Sequence, residues 1–418
     1  MIIRNLSEPE IETARQLCFT AFEANIDGAA SPAASADRIL HQPKTRMHRD
    51  YRNTLAAFDE NGSMQACVSH CLCPVYFDGN TAQMAAVGDV AALPACRGKG
   101  VMKALFSTLL NRLHQQQIPF SYLYPFSGTY YAQYGYSYCV KHNQWTLSLA
   151  SLPAFPEKGS IRLWNPSLQK PVQEIYEQFC SHINLAVRRE SIEWLHAIGQ
   201  FEPSTDHIFT YVYFDEADEA LAYMTYQKKQ TQQGNVMFCR EFFYKNLHGL
   251  KGLLNFCRSR KAYYESVCFS LPESVPLELI LSEFQLPRLQ PAEIRQRMHG
   301  MVRVIDPKAA LSLASFSGNG QLSLWLTDSL LPQNTGMWQI TWEHGRAVSI
   351  RTPASPCCAE RTEAETDMSL DIGLFSRLLC SGISAQGLAL LPEETIRCKN
   401  EAILSCFPLK TADVFEYF

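Results

Sequence analysis

The stretch that most constrains this chain is VGDVAALPACRGKGVMKAL, residues 87–105. Small strand-compatible residues run to Pro94, Gly98 and Gly100 flank Lys99, and apolar residues then recur at helical spacing (Val101, Leu105, Leu109, Leu113). A strand that turns through glycines into a helix leaves the first backbone N–H groups of that helix without partners and adds the positive end of its dipole. Such a turn suits a pyrophosphate, because glycines let backbone approach the oxygens, and Arg97, Lys99 and Lys103 supply countercharge. The edge of the preceding strand can hydrogen-bond an extended ligand as an added strand would. A nucleotide-hydrolase loop, GxxxxGKS/T, is missing, and no GxGxxG opens a βαβ unit with an acid after it. Taken as bare glycines, RGKG reads equally as a basic surface loop.

The surroundings supply the α/β context. Residues 2–6 read as a strand, and Ser7, Pro9 and Glu10 form a helix start: hydroxyl cap, first-turn proline, and a glutamate to return the hydrogen bond. Strands follow at 54–59, 65–76 and 82–93, the first two joined by an Asn61-Gly62 hairpin turn. A helix over 101–117 and a strand over 120–125 complete a first α/β domain. Pro153, Pro156 and Gly159 mark a linker. A second segment has a similar order, with helices at 171–183, 189–198 and 247–258 and strands at 208–214, 220–227 and 236–244. Past a boundary near 287–296 comes an α+β remainder, with strands at 301–305, 321–326, 337–343 and 346–350 and a helix at 371–380. A chain of 418 residues exceeds one ordinary core, and the expected division is 1–147, 148–290 and 291–418.

Charge and composition narrow the function. The formal net charge of −4, from 37 basic and 41 acidic residues, gives no basic surplus for nucleic acid or an anionic membrane and suits cationic small substrates. Apolar runs are short and interrupted, so no membrane span is expected. Fifteen cysteines in no paired framework read as reduced, buried thiols, and with no leader at the start the expected location is cytoplasmic. The 11 histidines show no HxxxH or HxH spacing, so no metal site is expected. Ser127 stands in no GxSxG elbow, and Cys357-Cys358 lies in a Pro/Ser-rich loop with nothing to activate it.

Residues 87–105 resemble the acetyl-CoA motif of GNAT acetyltransferases, Arg/Gln-x-x-Gly-x-Gly/Ala. Arg97 and Gly100 match, and Met102 stands at the last small position. A large residue there is similar to the Eis-like ("enhanced intracellular survival") branch. YYAQYGY at 130–136 resembles that branch's YxxFGY signature, and the ending FEYF resembles its C-terminus. The resemblance spans essentially the whole chain. It implies tandem GNAT-like domains, mixed central sheets flanked by helices, followed by an α+β domain like sterol carrier protein 2.

The resemblance also implies roles. Acetyl-CoA is the co-substrate. Val90, Ala91 and Ala92 offer backbone groups to its acetyl and pantetheine portion, Arg97, Gly98, Lys99, Gly100, Val101, Met102 and Lys103 cradle its pyrophosphate, and Phe126 and Ser127 line the thioester end. Tyr131 is the general acid and the α-carboxylate of Phe418 the general base, transferring acetyl to a primary amine of a polyamine-, aminoglycoside- or lysine-like acceptor. Glu23, Asp27 and Glu416 are candidates for holding that acceptor, and a hexamer is the implied assembly. The middle domain has no RxxGxG and reads as a silent copy. Two alternatives stay open: Tyr131 as one of 18 packing tyrosines, and a lipid or sterol carrier with a vestigial acetyltransferase domain.

Overall fold

The computed structural model describes residues 1–22, 51–194, 197–198, 207–232, 234–281, 292–355, 362–384, 387, 390–391 and 396–416. Glu23, Asp27, Tyr417 and Phe418 lie outside the described residues. Two compact units make up the chain: one from Met1–Cys139, Gly300–Lys410 and Phe415–Phe418, the other from Val140–His299 and Thr411–Val414.

The first unit opens with β1 (Ile2–Asn5) and α1 (Ile11–Phe22). Between them Ser7 and Glu10 form the expected capping box, the Ser7 N–H donating to the Glu10 carboxylate at 2.9 Å. Then come β2 (Thr54–Phe58), β3 (Met64–Phe77), β4 (Asn80–Ala92), α2 (Val101–Gln115), β5 (Phe120–Leu123) and α3 (Gly128–Ala132). The Asn61-Gly62 turn is present, with Gly62 at φ +78° and the Asp59 carboxylate accepting from the Asn61 and Ser63 N–H groups.

Alternation explains why the central strands carry so few polar residues. Ala56 and Phe58 of β2 face α1, whereas Leu55 and Ala57 face α2, so the sheet is buried on both faces. Helix α2 presents Val101, Met102, Leu105, Phe106, Leu109, Leu110 and Leu113 to that core. The strand order is β1-β2-β3-β4-β5, antiparallel except for β4 and β5, which run parallel. Beside β5 lies the end of β12 (Ala292–Val304), antiparallel to it from Met301↔Leu123 to Val304↔Phe120.

The same unit contains a smaller five-stranded sheet, and the second unit a further run of strands. Order β15-β14-β13-β16-β17 describes the smaller one, formed by β13 (Gly320–Thr327), β14 (Gly336–Glu343), β15 (Arg346–Arg351), β16 (Met368–Asp371) and β17 (Ile396–Cys398). Helices α7 (Pro307–Leu313) and α8 (Ile372–Cys380) accompany it. It is tied to the β3–β4 turn through Asp78, whose carboxylate accepts from Lys410 Nζ and the Ser315 N–H, both at 2.6 Å. In the second unit the order is β6-β11-β10-β9-β8-β7, from β6 (Ser137–Ser148), β7 (Ser160–Leu163), β8 (Ile208–Phe214), β9 (Ala220–Thr231), β10 (Gly234–Tyr244) and β11 (Ser266–Pro272). Its helices are α4 (Gln169–Cys180), the short α5 (Ser191–Trp194) and α6 (Leu247–Ser259). Where a helix is expected over 189–198, the described part is α5; β6, β11, β16, β17, α3 and α7 are elements the sequence pattern does not announce.

Candidate active site

The site begins where two strands part. Parallel pairing of β4 with β5 ends at Val87↔Leu123, yet β4 continues to Ala92. A β-bulge drives the divergence: the β3 register shifts between Cys67 and Ser69, and Asp89 sits at φ +50°. Beyond it the chain turns through Pro94–Cys96 into α2.

At that turn Gly98 and Gly100 both adopt φ +76°, a conformation costly for other residues, and the space beside each is open. Gly100 is the residue preceding α2, so no side chain caps the helix and its first N–H groups stay available. A cleft of about 800 Å³ opens here, lined among others by Val90, Ala91, Ala92, Arg97, Gly98, Gly100, Val101, Met102, Lys103 and Phe126. These are the expected residues, brought together within one unit. Lys99 and Ser127 are not among the lining residues: Lys99 is exposed on the loop, and the Ser127 hydroxyl caps α3 by accepting from the Tyr130 N–H at 3.3 Å. Arg97 has a second duty, donating to the Ala21 carbonyl at the end of α1 at 3.1 Å. Met102, the departure from the small-residue motif, is buried in the α2 core and lines the cleft as well.

Aromatic residues form the other wall. Phe126 is 69% exposed, with its ring 5.0 Å from Tyr130 and 5.3 Å from Tyr131. Tyr131, the expected general acid, is not among the lining residues either: it is buried behind Phe126 and Tyr130 and packs edge-on against Phe106, Tyr130 and Tyr136. Its hydroxyl has no hydrogen-bond partner among the described residues. Burial, and then Tyr130 and Tyr136, raise its pKa above the usual phenol value, so it is a neutral proton donor at neutral pH. Its carbonyl is clamped by the N–H groups of Tyr134 at 3.0 Å and Tyr136 at 3.3 Å.

Sequence reasoning passed over several residues here. Ala21, Phe22, Cys96, Tyr130, Gln133 and Tyr134 line the cleft as well, and only the repeated tyrosines of YYAQYGY offered a signal. Tyr124 was also unmarked; its hydroxyl donates to the carbonyl of half-buried Glu416. The preceding tail residues are held in the second unit: the Asn184 N–H donates to the Thr411 carbonyl at 2.8 Å, and the Asp413 N–H to the Asn184 carbonyl at 3.0 Å. The donor set at the α2 turn suits a pyrophosphate: unpaired amides, open glycines and the cations Lys99 and Lys103. No cluster of three or more metal-binding side chains occurs among the described residues, and no helix among them is long and apolar enough to cross a membrane.

Comparisons with known proteins follow this geometry. Residues 2–139 and 185–304 each match a model for an acetyltransferase (GNAT) domain, and residues 307–405 match one for a sterol carrier protein domain. No curated protein matches the chain by sequence. Among solved structures, a conserved protein of unknown function from Enterococcus faecalis, described as a probable N-acyltransferase, is similar at 19% identity with TM-score 0.80, covering 100% of this chain and 99% of that one. A GCN5-related N-acetyltransferase from Anabaena variabilis is similar at 18% identity, TM-score 0.80 and 100% coverage of both chains. Eis1 from Mycobacterium abscessus is similar at 17% identity, TM-score 0.76 and 100% coverage of both. At these identities the likeness is one of fold.

Proposed function

Because this chain belongs to the GNAT acetyltransferases, in the Eis-like arrangement of two GNAT domains followed by a sterol carrier protein domain, we propose that its N-terminal domain moves the acetyl group of acetyl-CoA directly onto a primary amine. The observation that carries this reading is the uncapped N-terminus of α2 at an open cleft where β4 parts from β5. The backbone of Gly98, Gly100, Val101, Met102 and Lys103 holds the pyrophosphate, with Arg97 and Lys99 adding charge. Val90, Ala91 and Ala92 present strand-edge groups to the pantetheine arm and polarise the thioester carbonyl. Phe126 bounds the thioester end, and Ser127, off the lining, caps the α3 turn beside it.

Two proton movements complete the transfer. As nitrogen bonds to the acetyl carbon, its proton passes to the α-carboxylate of Phe418, directly or through water, while the C–S bond breaks and the sulfur takes the Tyr131 proton. A thiol has an ordinary pKa of about 8.5; the burial that raises Tyr131 keeps its hydroxyl protonated and makes it a weaker acid, so it stabilises the departing sulfur first as a hydrogen-bond donor. An α-carboxylate, ordinarily at about 3.3–3.7, is charged at neutral pH and attracts an ammonium, which releases one proton to solvent before the neutral amine attacks and the carboxylate takes the second. The Tyr124–Glu416 bond supports a docked tail two residues short of that carboxylate. The acceptor is a polyamine, an aminoglycoside or a lysine side chain, with Glu23, Asp27 and Glu416 as its carboxylate contacts. A cytoplasmic hexamer belongs to the same proposal, and sizing of the purified protein tests the assembly.

Thiol release from acetyl-CoA against polyamines, aminoglycosides and lysine peptides tests the whole reading. A variant extended by a few residues past Phe418 runs beside the wild type. Wild-type turnover that collapses in the extended protein, with acetyl-CoA binding intact, supports the terminal base. Unchanged turnover removes Phe418 from the mechanism, and absent acetyl-CoA binding overturns the reading.

A further inference from the structure

Arg303 is buried completely, and its hydrogen bonds join the loop that carries Tyr131 to Asp328. It stands on β12, opposite Ser121 of β5. Nη1 donates to the Tyr134 carbonyl at 2.5 Å, and Nη2 donates to both Asp328 carboxylate oxygens, at 2.8 and 2.7 Å. Asp328 lies in the sterol carrier domain just after β13, and it too is held on several sides. It accepts from the Leu330 and Leu331 N–H groups, each at 3.1 Å, and from Asn334 Nδ2 at 3.0 Å. Asn334 bonds in turn to His114 on α2 at 3.1 Å.

The loop is shaped around this guanidinium. Gly135 has φ +79°, and a Cβ there would lie 1.8 Å from Arg303 Nη1 and 2.6 Å from the Ile372 side chain. The peptide whose carbonyl Arg303 holds is the one that follows the Tyr134 N–H, and that N–H clamps the Tyr131 carbonyl. A buried ion pair adds little net stability over apolar residues of the same volume. What it adds over them is a charged donor at a fixed point, and here that point is the backbone behind Tyr131.

We propose that Arg303 and Asp328 are a positioning pair for acetyl transfer: the sterol carrier domain, through Asp328, aims Arg303 at the Tyr134 carbonyl and so sets the hydroxyl of Tyr131 against the leaving sulfur. This rests on the reading of Tyr131 as general acid. The carrier-type domain then serves catalysis as a scaffold, independently of any lipid.

The test is a double-mutant cycle with kcat and acetyl-CoA KM measured for the wild type, Asp328→Asn, Tyr131→Phe and the combination. A misplacement near 1 Å costs roughly 100-fold, so Asp328→Asn alone is expected to lower kcat by about 10- to 100-fold while acetyl-CoA KM stays within about twofold. In the Tyr131→Phe background the same substitution is expected to have almost no further effect on kcat, because the group it positions is gone. Full, multiplicative loss in both backgrounds, or a loss confined to KM, overturns the inference while leaving Tyr131 in place. Tyr131→Phe with wild-type kcat overturns the underlying reading and the inference with it. If Asp328→Asn fails to fold, the apolar pair Arg303→Met with Asp328→Leu replaces it: a folded protein with the same kcat loss supports the proposal, and one with full kcat refutes it.

Discussion

In the N-terminal GNAT region, β4 leaves β5 after Val87↔Leu123 and runs on to Ala92; in the middle region, β10 leaves β11 after Phe238↔Cys268 and runs on to Tyr244. Each divergence has a β-bulge, between Cys67 and Ser69 in one case and between Cys239 and Glu241 in the other. The helices that follow differ in the residue at the N-terminal cap. Gly100 opens α2 with no side chain to give, whereas Asn246 caps α6 by accepting from the Gly249 N–H at 3.0 Å. The middle region also packs Phe242 of β10 on Phe269 of β11, ring centroids 4.1 Å apart. Parted strands are thus common to both regions, and what sets the proposed anion site apart is the turn: in the middle region a side chain caps one of the first amides and an apolar stack lies between the strands.

The sharpest way to break this comparison is at the chemistry. Tyr131→Phe is expected to lower kcat by about 10²–10⁴-fold with acetyl-CoA KM nearly unchanged, the range for losing a general acid. Phe242→Ala in the middle copy is expected to leave kcat and KM alone and to cost about 3–5 kcal/mol of stability as a core cavity, read by denaturant unfolding. Catalytic loss from the Phe242 variant while it remains folded would show that the middle copy is not silent.

Next in size is the turn itself. Gly100→Val puts a β-branched residue at φ +76°, a strain of about 1–3 kcal/mol set against the loop conformation proposed to receive the pyrophosphate. Acetyl-CoA KM is expected to rise about tenfold or more, since each 1.4 kcal/mol is tenfold, with a smaller change in acceptor KM. An unaltered acetyl-CoA KM would remove the α2 turn from the site.

Acid sharpens a second difference, since the middle unit holds tail residues 411–414. Burial, then His142 and Arg297, push His299 down to about 3. The His142 and His299 rings lie 4.3 Å apart, and His142 Nδ1 is 3.8 Å from the buried Asp413 carboxylate. A histidine kept neutral in the folded state contributes fully above its unfolded pKa of about 6.5. As pH falls from there toward 3, the unfolded chain takes a proton that the folded one refuses, and stability drops. Unfolding at pH 5 is expected to be easier than at pH 7.5 by on the order of 1–2 kcal/mol, and His299→Gln is expected to flatten that slope. A slope unchanged by the substitution would assign the acid sensitivity elsewhere.

The smallest effect expected is at the other cap: Asn246→Ala costs about 1 kcal/mol in thermal or denaturant unfolding with no change in acetyl-CoA KM. A shift in KM would mean that the two turns are not as separate in function as their caps are in chemistry.

Much of the fold was legible. Strands such as β8 and β14 and helices such as α2 and α6 follow directly from apolar period, because one face of each is pressed into a core. The RGKG turn was legible for a similar reason: glycines at positive φ and an uncapped helix start are local chemistry. Elements with mixed faces were not, as with β6, whose burial pattern follows no strict alternation, and α3, which is too short to show a period.

What the sequence determined alone, then, was most of the local conformations and the presence of one glycine-rich, uncapped helix start where two similar regions exist. Tertiary structure decided which groups face one another: that Arg303 reaches the Tyr134 carbonyl across 169 positions, and that Tyr124 meets Glu416 across 292. It also decided that Met102 packs into the core while lining the cleft and that Arg97 braces α1 as well as lining it. The physical reason is range. Propensity, capping and turn chemistry act over a few residues along the chain, whereas burial and buried polar pairing act through space between strands that only the folded sheet brings together.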